Sequence, residues 1–265
     1  MRVCIKLGGS ILEDDGMRMR LLEQVARLAD RGNEIIIVHG GGKSLNRRLA
    51  QLQIASSFKE GLRVTDAETL AVAVMVLTGE VNKKIVVEMN RIGKKAIGLC
   101  GADAAAVLCV PLANCPGAPE GIGFVGKPVA VNKSFFDMVI AAGLIPVVSS
   151  IAMDAAFQLY NINADQMAAS CAAGNGCSSL VYLTDVPGVR DKNGSVISFL
   201  GKTAIAELIK NGTVTGGMLP KTASCLEALD SGVSSVHILP GFGQNILDRF
   251  ADGTLAEGTT IHGNQ

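Results

Sequence analysis

The feature that most constrains the fold is an apolar run that ends in glycines. Glu34-Ile35-Ile36-Ile37-Val38 is followed by His39-Gly40-Gly41-Gly42, and a helix is expected from near Lys43. A run of β-branched residues with no polar face reads as a strand of a parallel sheet covered on both sides. Glycines at its end let the backbone approach a ligand and present N–H groups at a helix start, where anions are favoured. The same residues also make an ordinary α/β turn, so the motif alone decides nothing. It recurs, however. A first strand, Arg2 to Leu7, ends in Lys6-Leu7-Gly8-Gly9-Ser10, and a lysine beside such a turn can hold phosphate oxygens as a mobile point charge. Helical spacing of Leu21, Leu22, Val25, Leu28 and Ala29 between Met17 and Arg31, stopped by Gly32, completes a β-α-β unit with a right-handed crossover.

Further along, Gly61-Leu62-Arg63-Val64-Thr65-Asp66 leads into a helical tract that reaches about Asn90. Thr65 with Glu68 reads as a capping box, and Arg63 in the preceding loop has a guanidinium suited to gripping a carboxylate bidentately. Leu70, Val74, Leu77, Val81, Ile85 and Met89 keep helical spacing, and with Met75 they read as core or dimer contact. Lys95 to Cys100 is a strand. Ala113 to Gly126, with Gly117, Gly121, Gly123 and Gly126, reads as a loop or hairpin tip that could serve as a mobile flap over a site. A helix from Phe135 to Ala142 and a strand from Leu144 to Ser150 follow. In Tyr160-Asn161-Ile162-Asn163-Ala164-Asp165-Gln166, Asn163 suits a helix cap and Asp165 the first turn, which leaves Asn161 without a local explanation. The strand Leu180 to Thr184 precedes Asp185-Val186-Pro187-Gly188-Val189 and a turn at Asp191 to Gly194. Thr213-Val214-Thr215-Gly216-Gly217-Met218 again brings glycines to a helix start, with Lys221 close behind and Gly232 as the stop; Ser235 to Leu239 and Gly258 to His262 are the last strands.

The bulk properties narrow the partners. Lys plus Arg and Asp plus Glu balance at 24 each, so no broad field draws nucleic acid or an anionic membrane, and affinity for phosphate has to be local. The seven cysteines are scattered, with no CxxC pair or Cys/His cluster of zinc spacing, and no metal-ligating set stands out. The start Met1-Arg2-Val3-Cys4-Ile5 enters a strand at once and no apolar run reaches the roughly 18 residues of a membrane span, so the expected compartment is the cytoplasm. Gly42-Lys43-Ser44 and Gly201-Lys202-Thr203 resemble the end of a P-loop, but Ile37 and Val196 stand where its first glycine belongs, and no G-x-G-x-x-G follows a strand.

With Lys6-Leu7-Gly8-Gly9, His39-Gly40-Gly41-Gly42, Gly61 to Asp66, Asn161-Ile162-Asn163-Ala164-Asp165 and Gly216-Gly217-Met218-Leu219-Pro220-Lys221 in this order, the chain resembles the amino acid kinase family. The likeness runs from Lys6 to about Gly241. The Arg63 loop, Val81-Asn82-Lys83 and Asn161 to Asp165 resemble the branch of the family that acts on N-acetyl-L-glutamate. The resemblance implies a three-layer α/β/α sandwich around a mainly parallel sheet, the carbamate kinase-like fold. It implies an acceptor-binding and dimer-forming lobe over residues 1–170 and an ATP-binding lobe over residues 171–265. It implies transfer of the γ-phosphoryl group of ATP, brought with Mg2+, to a side-chain carboxylate. Lys6 and Lys221 would stabilise the transferring group from the acceptor and nucleotide sides, and Asp165 would orient both. Gly41, Gly42, Arg63 and Asn161 would hold the acceptor; Gly8, Gly9, Asp185, Gly188, Val189, Gly216, Gly217 and Met218 would line the nucleotide and phosphoryl path. A carboxylate nucleophile with a pKa near about 4.3 is ionised at neutral pH and needs no general base, so His39, His237 and His262 need not supply one.

The chain departs from the family at Ile151 to Phe157, which lacks the usual glycines, and at Gly101-Ala102-Asp103-Ala104. It begins almost at its first strand, where arginine-inhibited relatives carry an additional helix, so the resemblance points to the dimeric, arginine-insensitive kind. Two rival readings keep the scaffold: a kinase for another acidic acceptor of the aminoadipate type, and a non-catalytic nucleotide or amino-acid sensor.

Overall fold

The first β-α-β unit forms as its sequence dictates. The computed structural model describes residues 1–263, and in it β1 (Arg2–Leu7) and β2 (Glu34–His39) pair in parallel with Lys6 beside Val38 and Leu7 beside His39. Between them run α1 (Gly9–Glu13), a short helix that the glycine turn concealed, and α2 (Asp15–Asp30), whose Asp14 cap accepts the Met17 N–H at 2.8 Å. Then α3 (Gly42–Gln51) starts on the last glycine of the His39 turn. A two-residue hairpin, β3 (Phe58–Lys59) and β4 (Leu62–Arg63), carries Arg63.

The tract predicted to end at Asn90 is one helical rod in three parts: α4 (Ala67–Val74), a π-helical stretch (Met75–Val81) and α5 (Asn82–Arg91). The capping box at Thr65 does not form. Asp66 is the cap, accepting the Thr69 N–H at 2.8 Å, because Thr65 is drawn aside into a bridge with Gly123 and its hydroxyl donates to Arg63 O. Leu70, Leu77, Val81, Ile85 and Met89 are buried, whereas Met75 is 59% exposed and takes no part in the core.

β5 (Ala96–Leu99) leads to a hairpin, one of the two forms expected of the glycine-rich stretch. The glycine-rich stretch joins β6 (Val107–Pro111) to β7 (Val125–Val131) as an antiparallel hairpin. Gly126 lies inside β7 rather than in the loop, since a Cβ there would come within 2.9 Å of Ile162, Cys109 and Tyr160. The loop end is also tied down: Thr65 N–H donates to Ile122 O at 3.0 Å and Phe124 N–H to Thr65 O at 2.6 Å. After α6 (Lys133–Ala141) and β8 (Ile145–Ser149), β9 (Ile151–Met153) and β10 (Leu159–Ile162) close a four-stranded ring with β6 and β7.

The second half supplies α7 (Ala164–Gly174), β11 (Ser179–Thr184), β12 (Phe199–Gly201), α8 (Lys202–Lys210), α9 (Met218–Asp230), β13 (Ser235–Pro240), α10 (Ile246–Ala251) and β14 (Thr259–His262). The eight-stranded sheet runs β12-β14-β13-β11-β1-β2-β8-β5, parallel except where β14 meets β13. Alternate residues of each strand serve opposite cores, as a period of two requires. Cys4, Ile36, Val38, Leu180 and Tyr182 pack towards α7 and α9, while Val3, Ile5, Leu7, Ile35, Ile37, Val181 and Leu183 pack on the other face with α2 and α5. Helices therefore cover both faces, the expected three layers. Cys4, Cys109, Cys171, Cys177 and Cys225 are buried free thiols, and burial pushes the Cys109 thiol up to about 12.

Candidate active site

Parallel strands bring their C-terminal ends to one edge of the sheet, and there the three charged residues singled out in the sequence meet. Lys6 sits one residue from the end of β1. Asn163 caps α7 by accepting the N–H groups of Asp165 and Gln166 at 2.9 and 3.2 Å, which fixes the first turn and aims Asp165 at Lys6. Lys221, one turn into α9, approaches from the other side. Asp165 Oδ1 lies 2.7 Å from Lys6 Nζ as an ion pair outside hydrogen-bonding angles, and Oδ2 accepts a hydrogen bond from Lys221 Nζ at 2.8 Å. Lys6 and Lys221 are each only 8% exposed. Burial works to raise the Asp165 pKa, but the two ammonium charges prevail and hold the carboxyl well below the usual carboxylate range. Burial lowers the Lys6 pKa, and Asp165 opposes the shift only in part. Two cations on one carboxylate leave a net positive charge in a dry site. Such a group is built to receive an anion.

Beside Lys6 opens a cavity of about 220 Å3 whose wall includes Gly9, Gly41, Gly42, Arg63, Asn161 and Lys6 itself. Arg63 is 7% exposed, yet no carboxylate among the described residues pairs with it. Its guanidinium donates to Ser56 Oγ and, at 2.5 Å, to Asn46 Oδ1, and stacks 4.6 Å from the Phe58 ring centroid. Burial alone lowers its pKa. A buried cation whose side-chain partners are all neutral keeps its full charge facing the cavity. Asn161 Nδ2 donates to Thr65 Oγ1 at 3.2 Å, which ties β10 to the Arg63 loop. Leu45, Leu62, Leu77, Val125 and Ile162 give the wall apolar surface.

The glycine turn is held open by packing beneath it. A Cβ on Gly41 would stand 2.7 Å from Leu77 Cδ2 and 3.1 Å from Val81 Cγ2, so the π-helical stretch presses against the turn. The first helical bond of α3 runs from Leu45 N–H to Gly41 O, which leaves the preceding N–H groups without helical partners. His39 is fully buried, and its Nδ1 donates to Gly40 O at 2.7 Å while Nε2 accepts from Asn82 Nδ2 at 3.0 Å. Burial lowers its pKa to about 4, only partly opposed by the Gly40 carbonyl, so this histidine is a neutral brace for the turn.

The residues expected at the nucleotide divide into two groups. Gly9 reaches the cavity wall, Asp185 is exposed just past the C-terminal end of β11, and Gly216 and Gly217 are exposed just before α9, which Met218 opens. Gly8, Gly188 and Val189 also make framework contacts. Gly8 N–H is committed to Leu183 O at 2.9 Å, and a Cβ there would stand 2.8 Å from that carbonyl. Val189 is buried and its N–H donates to Thr259 Oγ1 at 2.8 Å; a Cβ on Gly188 would meet the same oxygen at 2.7 Å. Gly40 and Gly61, from the glycine turn and the Arg63 loop, also line the cavity, as do Phe58, Leu77 and Ser150, which no motif marked in the sequence. Periodicity did place Leu77 on the buried face of its helix.

The chain belongs to the amino acid kinase family, whose model matches residues 1–240. An acetylglutamate kinase from Koribacter versatilis is 44% identical over 265 residues, covering 98% of this chain and 98% of the relative. A solved structure from Streptococcus mutans UA159 superposes with a TM-score of 0.83 at 26% identity, over 99% of each chain. Carbamate kinase from Giardia shares the fold, with a TM-score of 0.71 at 14% identity over 98% of each chain.

Proposed function

We propose that this chain is an acetylglutamate kinase, transferring the γ-phosphoryl group of ATP to the side-chain carboxylate of N-acetyl-L-glutamate to give N-acetylglutamyl 5-phosphate and ADP, a step of arginine biosynthesis. The observation that carries the reading is the pairing of Lys6 and Lys221 on one carboxylate beside a cavity walled by the unpaired Arg63. In the proposed reaction Arg63 and Asn161 hold the acceptor so that its ionised side-chain carboxylate faces Lys6. An acceptor oxygen forms a bond to the γ-phosphorus as the bond to the β,γ-bridging oxygen breaks, and the electron pair leaves with ADP. Charge shifts onto the equatorial and leaving oxygens during this step, and Lys6 and Lys221 neutralise it from opposite sides. Asp165 holds both ammonium groups in place, and no proton has to move.

Magnesium fits as a passenger of the nucleotide. Among the described residues no three acidic, histidine or cysteine side chains gather into a cation cage, and Asp165 is already engaged by two lysines. An ion held by phosphate oxygens and water would supply further charge neutralisation. Residues 1–170 would then bind the acceptor and form a homodimer, and residues 171–265, with Asp185, Gly188, Val189, Gly216, Gly217 and Met218, would hold ATP, with Gly8 and Gly9 on the phosphoryl path. No helix among the described residues is long and apolar enough to cross a membrane.

A hydroxylamine trap tests the reading, since it turns an acyl phosphate into a coloured hydroxamate. Run with MgATP on N-acetylglutamate, glutamate, aspartate and aminoadipate, it should give strong signal with N-acetylglutamate alone. Signal only with another acceptor would move the substrate, and silence with all four despite ATP binding would favour the sensor.

A further inference from the structure

Beneath the two lysines lies a tyrosine that neither the motifs nor the mechanism above uses. Tyr182 stands on β11 directly beside Lys6 of β1 in the parallel register, and it is one of the largest fully buried side chains. Its hydroxyl donates to the backbone oxygen of Asp165 at 3.0 Å, at the first turn of α7. Lys221 Nζ sits 4.8 Å from the centroid of its ring. One side chain thus neighbours Lys6 across the sheet, holds the backbone that carries Asp165, and lies under the ammonium of Lys221.

We infer that Tyr182 is a positioning residue for phosphoryl transfer, its ring holding the Lys221 ammonium in place from below and its hydroxyl fixing the turn that carries Asp165. The physical reason is the balance of contacts on Lys221. Asp165 attracts this ammonium from one direction only, and a lysine is a flexible point charge on a four-carbon stem. An aromatic face 4.8 Å away gives it a second electrostatic contact, which is strongest where water is excluded. Burial keeps the phenol far above its ordinary pKa, so the hydroxyl remains a neutral donor at working pH. An aliphatic residue could fill the same space, but it would offer neither contact.

This inference rests on the kinase reading above, and the test separates the two. Turnover and acceptor KM are measured for wild type, Tyr182→Phe and Tyr182→Leu with MgATP and N-acetylglutamate, alongside circular dichroism and melting curves. Tyr182→Leu should lower kcat about tenfold to thirtyfold, the size of a desolvated cation–π contact. Its acceptor KM should stay within about threefold, because Tyr182 is absent from the cavity wall. Tyr182→Phe, which keeps the ring but loses the hydroxyl bond to Asp165 O, should lose only about twofold to fivefold in kcat. A folded Leu variant with wild-type kcat, equal losses in Phe and Leu, or an acceptor KM that rises in step with the loss of kcat would each overturn the inference. Should the Leu variant not fold, pentafluorophenylalanine at the same position keeps the shape and reverses the ring's electrostatics. It should match the Leu prediction, and turnover equal to the Phe variant would overturn the assignment. A wild-type protein silent with every acceptor would instead overturn the kinase reading, and the inference with it.

Discussion

Asp165→Asn removes one negative charge from between two ammonium groups while keeping the shape of the side chain. The lysine nitrogens stand 2.7 and 2.8 Å from the carboxylate oxygens, with the lysine side chains 11% and 10% exposed, so water can replace little of what is lost. Removing one partner of a buried ion pair costs about 3–5 kcal/mol, because the remaining charge is stranded. Here two like charges are stranded together. The cost has a ceiling, since a lysine can release its proton instead, and neutralising an ordinary lysine of pKa near 10.4 requires about 3 kcal/mol near pH 8 and about 5 kcal/mol near pH 6.5. Lys6 is already biased towards that route by burial. Asp165→Asn should therefore be less stable than wild type by about 3 kcal/mol near pH 8, and the deficit should widen on acidification towards pH 6.5. Urea unfolding followed by far-ultraviolet circular dichroism, with m-values compared, measures this directly. A variant within about 1 kcal/mol of wild type, or a deficit that does not change with pH, would refute the argument that Asp165 is the counter-ion of both lysines.

Three further outcomes follow from the same geometry. Arg63→Lys keeps the charge but loses the planar fork, so acceptor KM should rise about tenfold to a hundredfold, the size of a charged hydrogen bond, while kcat changes less; steady-state kinetics with unchanged KM would count against the assignment. Burial holds His39 and His237 near pKa 4, below the unfolded value near 6.5, so their neutral forms favour the folded state. Their contribution is complete above about pH 6.5 and is lost as pH falls towards 4, at about 1.4 kcal/mol per pH unit for each histidine; His237→Gln should make that slope shallower in urea titrations, and an unchanged slope would contradict it. In Gly98→Ala the new Cβ would overlap Asn82 Oδ1, forcing Asn82 off His39 Nε2 and Val147 O; a loss of about 2–5 kcal/mol is expected, and a neutral substitution would show that the His39 brace is dispensable.

The fold was legible wherever one physical signal acted alone. The apolar runs of β2, β8 and β11 have no polar face and could only be covered strands, and the long rod kept its apolar spacing through the π-helical stretch because Leu77 and Val81 still turn inwards. Signals failed where two competed. Thr65 and Asp66 are both good caps, and the choice was made by a bridge to Gly123, 58 positions away, that no local rule contains. Gly126 reads as a turn residue, yet it is a glycine because three side chains crowd its face of β7. β9 and β10 are three and four residues long, too short for alternation to stand out. At the site, Lys6, Asp165 and Lys221 each read locally as a turn lysine, a first-turn acid and a helix lysine. Their meeting is tertiary, and only the family resemblance anticipated it. The His39–Asn82–Gly98 contact and the placement of Tyr182 have no sequence signature at all, since each is a fit between residues on different elements.

The most direct test of the central claim, that two lysines on one carboxylate act on the phosphoryl group in flight, is a comparison of turnover with nucleotide affinity in Lys6→Ala and Lys221→Ala. Neutralisation of charge that develops only in the transition state predicts a kcat lower by about a hundredfold or more, with ATP dissociation constants within about threefold of wild type. Turnover and nucleotide affinity falling together, or either variant retaining wild-type kcat, would contradict the account.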